Sequence, residues 1–98
     1  MTADEIFGKY MENPYWKRQY DEAPSETCKE YIKWSYIWSG MNWFKTGTSA
    51  QKEKAHEKMN DLKEKFDRED WEYIIKTAGG ASAKAEYTKQ MKQSLGEE

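Results

Sequence analysis

The sequence predicts an all-α protein, a compact bundle of four to five short helices around a central aromatic-rich helix. Three observations carry that expectation. The 98-residue chain has no Val and only two Leu (Leu62 and Leu95), against five Trp, seven Tyr and five Met. Its core must therefore be built from rings and thioethers, without the aliphatic β-branched runs that mark buried strands. Charged residues make up 35% of the chain, and its polar positions are dominated by Lys and Glu, which favour helix. Apolar residues recur at helical spacing between punctuation marks at Asn13-Pro14, Ala23-Pro24-Ser25, Thr46-Gly47 and Gly79-Gly80.

Taken in order, Thr2 and Glu5 have the spacing of a capping box, which places a helix start at the N-terminus. Ile6, Phe7, Tyr10 and Met11 share its inner face, and the helix ends near Glu12. Pro14 suits the first turn of a short second helix, over Tyr15 to Glu22, that turns Trp16 and Tyr20 inward. Pro24 opposes continuation and Ser25 is a good N-cap, so the central helix begins there.

On that helix Cys28, Tyr31, Ile32, Ser35 and Trp38 form one inner stripe, flanked by Trp34 and Tyr36. The opposite face is charged at first (Glu26, Glu30, Lys33) and then becomes a second apolar stripe of Trp34, Ile37 and Met41. Gly40 is the expected left-handed stop, and Asn42 to Gly47 the expected linker. The eleven residues from Trp34 to Phe44 carry no charge. This is where a core can be seeded.

Thr48 with Gln51 gives a second capping box, opening the longest helix with a thin stripe of Ala50, Ala55, Met59, Leu62 and Phe66. Asp67 with Asp70 caps a further helix bearing Trp71, Ile74, Ile75 and Ala78, closed by Gly79-Gly80. Residues 1–80 are therefore read as the helical bundle domain. Residues 81–98 form a C-terminal segment in which Ala83, Tyr87, Met91 and Leu95 recur every four residues, helical in pattern and either loosely packed or partly disordered. The second apolar stripe is either a further wall of the core or a binding surface, and in the first case Tyr87, Met91 and Leu95 are its expected cover.

The chain shows no constellation for catalysis, so no enzyme activity, cofactor or metal is expected. His56 is the single histidine and lies in Glu53-x-x-His56. A bundle-type metal site needs that motif twice with two further carboxylates, so a solvated surface histidine is the simpler reading. Cys28 falls on an inner stripe, where packing outweighs catalysis. Gly79-Gly80 lacks the strand, Lys and spacing of a phosphate loop. A single cysteine, an acidic N-terminus and no membrane-length apolar run point to a cytoplasmic protein without a membrane partner.

Two binding functions remain. Trp, Tyr and Met are enriched at interfaces, and Trp34, Ile37, Met41, Trp43 and Phe44 are the candidate protein-binding residues. Trp16, Tyr31, Trp38 and Trp71 are assigned instead to the core. The first function is thus a small non-enzymatic adaptor or modulator that binds a protein partner, or itself, through this aromatic surface. The alternative is a nucleic-acid-binding accessory protein using Lys52, Lys54, Lys58, Lys63 and Lys65. Against it stand a formal net charge of −2 and the interleaved Glu53, Glu57, Asp61 and Glu64.

Overall fold

In a computed structural model that describes residues 1–96, the chain forms six helices: α1 (Ala3–Met11), α2 (Pro14–Asp21), α3 (Glu26–Trp43), α4 (Ser49–Lys63), α5 (Arg68–Thr77) and α6 (Ala81–Ser94). No strand occurs among the described residues. The all-α bundle around α3 is as expected, with six helices because the short 14–21 and 81–94 segments both form. The last two residues of the expected C-terminal segment lie outside the described part.

Side chains satisfy the free amides at five helix starts. Thr2 and Glu5, Thr48 and Gln51, and Asp67 and Asp70 each exchange reciprocal capping bonds. Hydrogen bonds from Thr2 hold the Glu5 carboxyl below its ordinary pKa. Asn13 accepts from the Tyr15 amide with Pro14 in the first position, and Ser25 accepts from the Cys28 amide. Each such cap is worth about 1 kcal/mol. α6 starts instead at Gly80, whose φ of 153° suits only glycine.

α3 buries two faces. The first packs Cys28, Tyr31, Ile32 and Tyr36 against Phe66 of the α4–α5 turn and Trp71 and Ile74 of α5. Phe66 meets both Tyr31 and Trp71 edge-on, with centroids 5.3 and 5.2 Å apart. The second packs Ile37 and Met41 against Ile6 of α1 and Ala55 of α4. Ile6 and Ile37 are each 1% exposed, and burial of such a side chain contributes about 1.5–3 kcal/mol.

Four sequence-level assignments change. Tyr87, Met91 and Leu95 do cover a core face, but it is the first one; Ile6 and Ala55 cover Ile37 and Met41. Tyr36 takes the inner place expected for Trp38, because it follows Ile32 by one turn. Trp38 follows Trp34 by one turn and lies on the outer flank, 6.0 Å from the His56 ring. Trp16 is also half-exposed, because α2 buries no residue completely. Tyrosine hydroxyls tether α2 instead: Tyr36 donates to the Trp16 carbonyl at 2.8 Å and Tyr73 to the Gln19 carbonyl.

Gly40 is the fourth. It does not end α3 but sits inside it, buried, where α1 crosses. A Cβ built there would overlap Ile6 Cγ2 and press on Tyr10 Cε1 at 3.3 Å. The glycine is needed for close helix approach, and the helix runs on to Trp43. Lys45 (φ 53°) and Gly47 (φ 85°) supply the left-handed turn, and the Thr46 amide closes it by donating to the Met41 carbonyl at 3.0 Å.

Candidate protein-docking surface

Continuation of α3 past Gly40 decides the fate of its last two rings. Trp43 sits on the final helical position and Phe44 on its C-cap, whose amide donates to the Gly40 carbonyl at 2.8 Å. They are thus carried on a rigid helix end, not on the linker expected from the sequence. Trp43 is 79% exposed and Phe44 38%.

Opposite them is the corner between α1 and α2. Asn13 caps α2 and Pro14 turns the chain, which brings Tyr10 and Trp16 to a centroid distance of 5.8 Å. Tyr10 is fixed from behind by Tyr36, stacked at 4.8 Å with planes 15° apart. Tyr15 meets Trp16 edge-on at 4.9 Å. A groove of about 390 Å³ results, lined by Lys9, Tyr10, Asn13, Trp16, Trp43 and Phe44. Lys9 is its only charged lining residue.

The five candidate residues therefore separate. Ile37 and Met41 are core, 1% and 5% exposed, because α1 and α4 close over them; as docking residues they are withdrawn. Trp34 is half-buried against the same cluster and lines a smaller cleft of about 170 Å³ with Met1, Ile6 and Lys54. Trp43 and Phe44 remain on the surface. Trp16 joins them. The half-buried Tyr10 keeps its expected inner place against both core clusters and also forms one side of the groove. The sequence reading missed their part in a groove because it assigned both to inner faces alone. Their signal was the Asn13-Pro14 turn, which bends the chain between two rings.

The lysines of the alternative reading do not share one face. At about 100° per residue, Lys52 and Lys63 fall on one side of α4, and Lys54 and Lys58 on the other. Lys63 donates to Gln90 Oε1 of α6 at 2.9 Å, and burial there lowers its pKa. Lys65 lies in the turn beyond the helix.

Cys28 is fully buried, and desolvation followed by the charges of Asp70 and Asp67 pushes its thiol up to about 12. It is held as a neutral thiol. His56 is exposed beside the Trp38 ring. Among the described residues no group of three or more His, Cys, Asp or Glu side chains is placed to hold a metal ion, and no helix is long and apolar enough to cross a membrane.

Comparison of the chain with protein families, curated proteins and solved structures gives no match.

Proposed function

We propose that this is a small cytoplasmic interaction protein, without catalysis of its own, that docks a short apolar segment of a partner protein in the groove between Trp43–Phe44 and Tyr10–Trp16. The observation that carries this reading is the 79% exposure of Trp43 on a helix end, beside Phe44 and facing the rings of Tyr10 and Trp16 across a groove. A domain that builds its core from aromatics gains nothing in stability by leaving an indole in water. Interface anchors, in contrast, are commonly Trp and Tyr.

Size favours a segment over a whole domain face. At 150–250 Å² per aromatic side chain, the exposed parts of Tyr15, Trp16, Trp43 and Phe44 amount to about 400 Å². That area is typical of a functional apolar patch and about half of one side of a standard protein–protein interface. Rings held at fixed distances on two helix junctions also lose little freedom on binding.

The test is selection from a random peptide library on the immobilised chain, followed by affinity measurement for the enriched peptides. Those peptides are expected to carry aliphatic or aromatic anchors and to lose about thirtyfold in affinity against Trp43→Ala. Sedimentation over a concentration series separates a second copy as occupant, since self-association abolished by Trp43→Ala identifies it. Enriched peptides indifferent to both Trp43→Ala and Trp16→Ala, from a chain that stays monomeric, sink the proposal.

A further inference from the structure

Tyr10 and Trp16 form a shared wall, with the docking groove on one side and a second cleft on the other. The second cleft has a volume of about 270 Å³ and lies among α2, α3, α5 and the middle of α6. Not one of its lining residues is charged, in a chain that is 35% charged. Four of them are tyrosines: Tyr10, Tyr31, Tyr36 and Tyr87.

The tyrosine hydroxyls of this cleft are only partly committed. Tyr36 spends its proton on the Trp16 carbonyl. The Tyr31 and Tyr87 hydroxyls lie 3.0 Å apart and hold two protons between them, of which their mutual bond uses one. The described residues give the second proton no acceptor. Either hydroxyl can keep that proton; Tyr31 is 3% exposed and Tyr87 is half-buried, so the donor at the edge of the cleft has restricted access to bulk water. Burial raises the Tyr31 pKa well above the ordinary phenol range, which keeps that hydroxyl protonated.

Aromatic walls, an unspent hydroxyl proton and no ion together point to a complementary ligand. A flat ring offers its face to the tyrosines and one lone pair to the donor, and needs no countercharge. A phosphorylated molecule finds no cation here. A sugar brings hydroxyls all round its ring, whereas the polar side chains beside the tyrosines are Gln19, Ser35, Ser39 and Thr77, of which Ser35 and Thr77 already donate to backbone carbonyls. We infer that the tyrosine cleft is a binding site for an uncharged aromatic heterocycle of one or two rings that accepts the unspent proton of the Tyr31–Tyr87 pair. This site does not depend on the docking groove being occupied.

An NMR titration of the full chain tests it, with adenine as the probe and AMP and methyl glucoside as comparison arms. Adenine is expected to give saturable amide shifts around Tyr31, Ser35 and Tyr87, AMP to bind no tighter, and methyl glucoside to bind more weakly. The double variant Tyr31→Phe with Tyr87→Phe keeps both rings and removes both hydroxyls, and is expected to weaken adenine binding about three- to tenfold. Either single variant leaves one hydroxyl proton unspent and is expected to hold adenine within about twofold of the unaltered chain. Trp43→Ala leaves adenine binding unchanged, which separates this site from the docking groove. The inference is overturned by no saturable shift up to about 10 mM adenine, by unchanged affinity in the double Phe variant, or by tighter binding of AMP or the glucoside.

Discussion

The Ser25 hydroxyl donates to Asp70 Oδ1 at 2.6 Å, joining the first turn of α3 to the first turn of α5 across 45 residues of sequence. Ser25 is the N-cap of α3, and Asp70 completes the capping box that Asp67 opens on α5. Ser25 Oγ accepts from the Cys28 amide at 3.0 Å, and Asp70 Oδ2 accepts from the Asp67 amide at 3.1 Å. Two helix starts thereby share one hydrogen-bond chain, at a carboxylate that is 3% exposed.

Breaking that chain at either end costs more than a cap. Asp70→Ala strands the Ser25 hydroxyl and the Asp67 amide, and is expected to lower stability by about 2–4 kcal/mol. Ser25→Ala costs about 1–2 kcal/mol. In urea unfolding the double variant should be less destabilised than the two singles added together, with a coupling of about 1 kcal/mol. Simple additivity means the two caps act separately.

Gly40→Ala separates helix propensity from packing. On an ordinary helical position it would stabilise by up to about 1 kcal/mol. Here the new methyl meets Ile6 Cγ2, and overpacking of this kind costs about 1–3 kcal/mol. A fall in melting temperature is therefore expected, and Ile6→Ala, which deletes the opposing methyl, should cost less in the Gly40→Ala background than alone. A more stable Gly40→Ala protein contradicts the close crossing of α1 over α3.

The two groups of apolar residues around the end of α3 should respond oppositely to truncation. Ile37→Ala empties a filled core position and is expected to cost about 2–5 kcal/mol. Trp43→Ala should change stability by less than about 0.5 kcal/mol, as for an ordinary surface position. Thermal unfolding of both variants is the check, and a large loss in Trp43→Ala would place that ring in the core.

Alkaline pH should weaken the fold. Cys28 ionises near 9.0 as an ordinary thiol, but only at about 12 in the folded chain, and burial likewise raises Tyr31 and Tyr36. Below pH 9 both states hold the Cys28 proton, and its contribution to stability is constant. Above that the unfolded chain releases the proton first, so stability falls by about 1 kcal/mol per pH unit for this group up to about pH 12. Denaturant midpoints between pH 8 and 11 report the slope. At pH 8 the thiol should react with a disulfide reagent only as fast as the chain opens, and rapid native labelling contradicts its burial.

The α2 helix is expected to be the least protected of the first five. It buries no residue fully, and Tyr36 and Tyr73 hold its backbone carbonyls from outside. Tyr36→Phe with Tyr73→Phe should cost about 1–3 kcal/mol in total and speed amide exchange in α2 first. Uniform acceleration across all helices argues against this tethering.

Helix starts were legible from the residues because a cap is a local device. Thr2 with Glu5, Ser25, Thr48 with Gln51, and Asp67 with Asp70 each satisfy amides within three positions of themselves, so spacing alone reveals them. The two apolar stripes of α3 were visible for the same reason, since a helix sets its own periodicity. Which neighbour meets which stripe is a long-range matter. Ile6 and Ala55 close over Ile37 and Met41 because Gly40 lets α1 approach, and a glycine in a helical stretch reads identically as a stop. The same packing sends α6 to the other core face and carries Trp43 and Phe44 outward on an extra turn. The chain's own pattern thus defines an all-helical domain with more aromatic surface than one stripe can bury. Helix docking selects the rings left in water, because that choice depends on close contacts between segments distant in sequence.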